Sequence, residues 1–245
     1  GHISGSMFLP IDFCLGTTLY LATKITTIEM VKLIERERIN QALVTPDNIY
    51  QIANGDYEKD YDLSSFRIAY TGGTILAPYL AENWAQKLPQ CPLLNFYGMT
   101  EFLCPILPRH PEHSNTLSHA GTVSPGSELK ILCIETGKAL GLNQSGEICM
   151  KGPACFKGYY RNEEATKSTI DKDGFYHSGD IGFIHANLCI HIDDRIKEII
   201  KVYNLSVFPA EIEQFIHLKF NQVNAVCVVG IPQASGNTFL RAYVS

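Results

Sequence analysis

Between Thr27 and Phe96, short apolar runs alternate with stretches of helical spacing, and this alternation limits the fold more than any other feature of the chain. Apolar residues at 28, 30, 31, 33 and 34 predict a helix over Thr27–Glu37, leading into a short strand at Ala42–Val44. The Thr45 hydroxyl is suited to accept from the unpaired amides of a following helix, and Pro46 suits its first position. Phe66–Tyr70 reads as a strand, Ala77–Lys87 as a helix and Leu93–Phe96 as a strand. Strand and helix in turn predict a doubly wound α/β layer.

After Pro105 the texture changes. Residues 110–126 are rich in Pro, Ser, His and Gly, and Leu129–Ile134 and Gly146–Lys151 then alternate as strands. A β-rich subdomain is expected there. Farther on, Ala210–Ile216 follows Pro209 as a helix and Ala225–Val229 reads as a strand, which predicts a small α+β region at the end of the chain.

The stretch Ile181–Asp193 has apolar residues at 181, 183, 190 and 192 around Ala186-Asn187 and reads as a hairpin. A turn centred on that pair predicts Ile181 opposite Ile192 and Phe183 opposite Ile190, as one buried face. Ser178, Asp180, Asp193 and Arg195 then fall on the other face, at the open end. An ionised Asp accepts up to about four hydrogen bonds and Arg donates about five. The pair is either a grip for vicinal ribose hydroxyls or an ordinary surface ion pair.

A second constellation follows the apolar run Leu93-Leu94-Asn95-Phe96, in the word Tyr97-Gly98-Met99-Thr100-Glu101. Tyr97 offers a flat ring to stack on a base, Gly98 permits close backbone approach, Thr100 offers a donor to a phosphate and Glu101 a carboxylate for Mg²⁺. The alternative is a plain exit from a strand into a loop.

YGMTE, GEICMKGP, GYYRNEEAT, DGFYHSGD, DDRIKEIIK and VFPAEIE, in that order, resemble the adenylate-forming superfamily, specifically the acyl-CoA synthetases, 4-coumarate:CoA ligases and beetle luciferases. The likeness spans the chain. His2-Ile3-Ser4-Gly5 resembles the family's H-x-x-G, DLSSFRIAYTGG at 62–73 its acyl-pocket segment, and residues 228–245 a strand pair of its C-terminal domain.

This resemblance implies ATP-dependent activation of a fatty or aromatic carboxylic acid through an acyl-AMP, with Mg²⁺, and transfer of the acyl group to coenzyme A. It places Tyr97 against adenine with Gly98 beside it, Thr100 at the α-phosphate, Glu101 on Mg²⁺, and Asp180 and Arg195 on the ribose. Gly72, Gly73 and Thr74 line the acyl and adenine pocket, and His2 lies near the carboxylate. Lys197 falls at the hinge and Lys201 faces the adenylate, so Thr100, Lys201 and His2 carry the implied catalytic roles. The implied organisation is a partial N-terminal AMP-binding domain over 1–193 (an α/β layer to 105, a β-rich subdomain over 106–193), a hinge at 194–197, and a partial C-terminal lid over 198–245. A non-catalytic adenine-nucleotide binder and a luciferase-like monooxygenase are the alternatives.

Departures from the family pattern are equally specific. A glycine-rich phosphate loop resembling TSGTTGxPKG does not occur, since Thr71-Gly72-Gly73-Thr74 lacks the lysine, and the late G-K-[ILV] word is missing. Tyr203, Asn204 and Ser206 replace residues usual in the lysine-rich word after the hinge, and Phe96 stands where many members have Gly. An internal piece of a longer, adenylating enzyme, impaired by itself, is the expectation.

Composition narrows the remaining classes. A net charge of −5 argues against an electrostatic grip on nucleic acid. The eight cysteines form no C-x-x-C pair and no zinc-finger spacing, so buried thiols in a reducing compartment are expected. No apolar run reaches about 18 residues. An intracellular protein of peroxisome or cytoplasm is expected, although Tyr243-Val244-Ser245 is not the usual peroxisomal tripeptide.

Overall fold

The helical spacing of residues 27–37 becomes helix α1 (Thr27–Glu37) in the computed structural model, which describes residues 10, 12–22, 25–73, 76, 78–108, 119–203, 205–220, 223, 225–233 and 238–245. Thr26 and Glu29 close a reciprocal capping box at its start, and Arg38, at φ 53°, ends it. Strand β1 (Gln41–Leu43) leads to α2 (Pro46–Asn54), whose cap is Thr45 paired reciprocally with Asn48. The Asn48 amide also donates to Thr27 Oγ1 at 3.0 Å in the interior, tying the two helix starts together. Short helix α3 (Tyr57–Asp60), strand β2 (Ile68–Gly72), helix α4 (Pro78–Lys87) and strand β3 (Leu93–Met99) follow.

These strands form the parallel half of a five-stranded sheet. Gln41 lies opposite Ile68 and Ala69 opposite Leu93; β4 (Phe102–Leu107) and β5 (Thr122–Val123) then extend the sheet antiparallel. The mixed α/β architecture expected from the alternation is present, with two differences of extent. Strand β2 begins at Ile68 because Phe66 closes a turn onto Leu63 and enters the core from it. Strand β3 runs through Tyr97 and Gly98 to Met99, so YGMTE is a strand end plus a tight hairpin turn. The core lies between this sheet and its helices, around Trp84, Phe66, Ile34, Ile49 and Ile52. Fully buried Trp84 donates Nε1–H to the Cys91 carbonyl at 2.7 Å, which satisfies its one polar group.

Residues 1–128 and 151–166 make up this first compact unit; residues 129–150 and 167–245 make up a second. Strands β6 (Glu128–Leu132), β7 (Gly146–Lys151), β8 (Tyr176–Ile184) and β9 (Ile190–Arg195) form an antiparallel sheet in chain order, with helix α5 (Glu163–Thr169) between β7 and β8 in sequence. Beyond a single 3₁₀ turn at Ile196–Glu198 come the hairpin β10 (Ile200–Val202) and β11 (Leu205–Val207), helix α6 (Pro209–Lys219), and the hairpin β12 (Val226–Pro232) and β13 (Thr238–Val244). Val202 and Leu205 close the turn of the first hairpin, in which Tyr203 has φ 53°. Asn204, the replacement noted in the sequence, lies outside the described residues.

The β8–β9 hairpin exists, but its register differs from the expected one. Ile184 pairs with Ile190 and Gly182 with Ile192, because the loop has three residues, with Leu188 at φ 65° and the Asn187 side chain accepting from Cys189 N. A bulge at Asp193 then brings Asp194 opposite Ile181. Ile181 and Phe183 therefore do not share a face with Ile190 and Ile192.

Two outcomes follow for stability. Trp84→Ala removes a fully buried ring and leaves the Cys91 carbonyl without its donor, so urea unfolding should show a loss of about 3–5 kcal/mol. In the hairpin, burial pushes the His191 imidazole below its usual range against the opposing pull of Asp193. A depressed histidine stabilises the fold above its unfolded pKa, about 6.5, and that contribution is lost as pH falls toward the folded value. Thermal midpoints between pH 7 and 5 should therefore fall less steeply in His191→Gln.

Candidate functional site

Two irregularities in the second unit converge on Asp180. Glu147 pairs with Ile181 and Cys149 with His177, so Ser178, Gly179 and Asp180 of β8 together face the single residue Ile148 of β7. Such bulges bend a strand and re-aim a side chain. Gly179 adopts φ +70°, where a side chain would be strained. Ser178 Oγ donates to the Ile148 carbonyl at 2.7 Å and accepts from Asp180 N at 3.0 Å, while Gly179 N donates to Glu147 Oε1 at 3.2 Å. Polar groups released from the sheet ladder are thus satisfied locally.

On the other edge of β8, the Asp193 bulge places Arg195 directly opposite Asp180. Arg195 Nε donates to Asp180 Oδ1 at 3.0 Å. The carboxylate side chain is 6% exposed and the arginine 69%, so a buried anion is compensated by a cation that reaches solvent. The expected partnership of these residues holds, although by another route. Alternation from a two-residue turn does not produce it; the three-residue loop and the Asp193 bulge do.

Glu147 and His177 were not among the residues singled out from sequence. Glu147 accepts through Oε1 from the bulge and through Oε2 from His177 Nδ1 at 2.8 Å, so it buttresses the loop that carries Asp180. Cys149 Sγ is 3.5 Å from the same ring nitrogen, and burial with the Glu147 carboxylate pushes its thiol up to about 12. The signal lay in the words GEICM and YHSGD, which place acid, thiol and imidazole on adjacent strands.

In the first unit, Tyr97, Gly98, Thr100 and Glu101 gather at the β3–β4 turn. Tyr97 pairs with Ile106 and Met99 with Phe102, so Leu103, Cys104 and Pro105 of β4 together face the single residue Gly98, and Cys104 takes φ 43° in that bulge. Thr100 is exposed and Glu101 half-buried. Glu101 Oε1 accepts from the Tyr159 hydroxyl at 2.9 Å, and its carbonyl accepts from Phe156 N at 2.8 Å. Tyr159 was another residue missed in the sequence; its signal is the GYYRNEEAT word.

Beside this turn lies the end of β2. Gly72 pairs with Phe96, and a Cβ on it would meet the Phe96 carbonyl at 2.7 Å, so glycine permits the approach; Gly73 has φ +83°. Phe96 packs on Tyr70, with ring centroids 5.2 Å apart. On the other face, Thr71 pairs with Asn95, and the buried Thr71 Oγ1 and Asn95 Oδ1 find no hydrogen-bond partner among the described residues. Buried polar atoms are usually paired, so two together at the carboxyl ends of parallel strands make this a candidate ligand position.

Lys197 lies in the 3₁₀ turn, and Lys201 on β10 donates to Ser206 Oγ across the hairpin. The lysine expected to face an adenylate is thus engaged with one of the replacement residues. His2 and Thr74 lie outside the described residues. No helix among the described residues is long and apolar enough to cross a membrane.

The model of the family described as AMP-binding enzyme matches residues 1–160. A 4-coumarate-CoA ligase 1 of Narcissus pseudonarcissus is 37% identical over 218 residues, covering 87% of this chain and 40% of that protein. Among solved structures, the ATP-bound RpMatB-BxBclM chimera B3 superposes with a TM-score of 0.90 at 26% identity, covering 99% of this chain and 48% of the other. The O-succinylbenzoate coenzyme A synthetase of Bacillus subtilis, in complex with ATP and magnesium ion, superposes at 0.84 with 25% identity, covering 99% and 49%. The chain thus spans about two fifths to one half of the proteins it matches. With 160 of its 245 residues matched, this chain belongs to the AMP-binding enzyme family.

Proposed function

We propose that this chain supplies the adenosine- and acid-recognising part of an acid:CoA ligase, which joins a fatty or aromatic carboxylic acid to AMP and then to coenzyme A. In the first step a carboxylate oxygen bonds to the α-phosphorus of ATP and pyrophosphate leaves; in the second a thiol sulfur bonds to the acyl carbon and AMP leaves. Negative charge gathers at the α-phosphoryl group, so preplaced donors and a cation are the main requirement of the site.

The observation that carries this reading is the double bulge that buries the Asp180 carboxylate and pairs it with Arg195. Burying this carboxylate costs desolvation that a surface ion pair avoids, and Ser178 and Glu147 hold the bulge that aims it. Here Asp180 accepts from the ribose hydroxyls and Arg195 orients it. Tyr97 stacks on adenine, Thr100 donates to the α-phosphate, and Gly72 and Gly73 let the nucleotide approach the backbone. The Glu101 carboxylate fits a hard divalent cation, since one oxygen is already fixed by Tyr159 and an oxygen donor suits Mg²⁺, which would neutralise phosphate charge. Thr71 and Asn95 supply the polar atoms that a ligand satisfies. Residues 194–197 act as the hinge with Lys197 at its centre, between the domain over 1–193 and the lid over 198–245. Lys201 reaches the adenylate on leaving Ser206, and His2 and Thr74 complete the acid and adenine surroundings.

Three outcomes test this reading. AMP should bind the chain in calorimetry, and Asp180→Ala should weaken it by about 1.5–3 kcal/mol, a charge-assisted hydrogen bond's worth; equal affinity in the two proteins sinks the ribose role. Glu147→Gln, which keeps the shape of the buttress, should lower AMP affinity less than Asp180→Ala does. With ATP, Mg²⁺ and a panel of fatty and aromatic acids, pyrophosphate release by this chain alone should stay at background, because it has no phosphate-loop word and no G-K word.

A further inference from the structure

Beside the bulge, on the β7–β8 ladder of the second unit, Glu147, Cys149 and His177 bring a carboxylate oxygen, a thiol sulfur and an imidazole nitrogen within 4.8 Å of one another. We infer that these three side chains form a binding site for a thiophilic divalent cation of the zinc type. The site goes beyond the nucleotide reading and does not depend on it.

The distances match the chemistry. Around a tetrahedral zinc, sulfur at about 2.3 Å and nitrogen or oxygen at about 2.0–2.1 Å lie roughly 3.3–3.6 Å from each other. Cys149 Sγ and His177 Nδ1 are already 3.5 Å apart. Glu147 Oε2 is 2.8 Å from the same nitrogen, so insertion of the ion requires it to retreat by about half an ångström, a small carboxylate rotation. A thiolate, a carboxylate and a neutral imidazole balance two positive charges. Sulfur and nitrogen in the donor set select zinc over magnesium or calcium.

Neighbouring groups orient the ligands as a metal site needs. Ligation through Nδ1 requires the ring proton on Nε2, and the Asp171 carboxylate lies on that side, 3.8 Å from Nε2 and itself held by Lys130 at 2.9 Å. Glu147 Oε1 remains with Gly179 N, leaving Oε2 to the ion. Cys149 is fully buried, whereas the His177 and Glu147 side chains are 30% and 16% exposed, so a fourth ligand such as water would reach the ion from their side. The same ion would stiffen the bulge through Glu147, and it is expected to raise the thermal midpoint.

The test uses Co²⁺ as the probe on the metal-free, fully reduced chain. Expected are a thiolate-to-cobalt charge-transfer band saturating at one ion per chain, its displacement by Zn²⁺, and its loss in Cys149→Ser but not in Cys133→Ser. His177→Gln should weaken Co²⁺ at least ten-fold. Absence of the band in the wild-type chain, or its survival in Cys149→Ser, overturns the site. If circular dichroism shows Cys149→Ser unfolded, His177→Gln and Glu147→Gln decide: a ten-fold loss in both supports the site, and wild-type affinity in either overturns it.

Discussion

A buried carboxylate opposite a solvent-reaching guanidinium sets the form of the second unit. Desolvating Asp180 is costly unless its charge is compensated, and Arg195 compensates it only if β9 delivers residue 195, not 194, to that position. The extra residue at Asp193 does this on one edge of β8. On the other edge, the extra length at Ser178–Asp180 gives Asp180 its own direction, and Ser178 and Glu147 take up the polar backbone groups left out of the ladder. Regular pairing is surrendered where a polar side chain has to be aimed.

The first unit uses a different device for the same purpose. Parallel strands β2 and β3 end side by side, with the pair Gly72 and Phe96 on one face and the pair Thr71 and Asn95 on the other. The core around Trp84 and Phe66 holds these ends rigidly from below. The β3–β4 turn then presents Thr100 and a Glu101 carboxylate fixed by Tyr159. Rigid strands beneath a short turn suit a site whose groups must be in place before charge develops.

Much of this was legible in the residues. The helix at Thr27–Glu37 coincides with its expected bounds, and the Thr45-Pro46 start was recognisable because capping is a local interaction. Asp180 and Arg195 were recognised as partners. What failed was the register between them: a centred turn was assumed where Leu188 adopts a left-handed conformation, and neither bulge has a one-residue signature as strong as Asn-Gly. Tyr159 and Glu147 escaped notice because each acts on a residue far along the chain, 58 and 30 positions away respectively.

The sequence by itself determined the family, the order of elements and the chemical types at the site, since local spacing and long words in fixed order carry that information. Only the tertiary structure decided which groups meet. Strand register is a sum of small, non-local pairings, and two inserted positions shift every later partner. For that reason Arg195 faces Asp180 through a three-residue loop and a bulge, and Glu147, Cys149 and His177, unremarkable in the sequence, come together on the β7–β8 ladder.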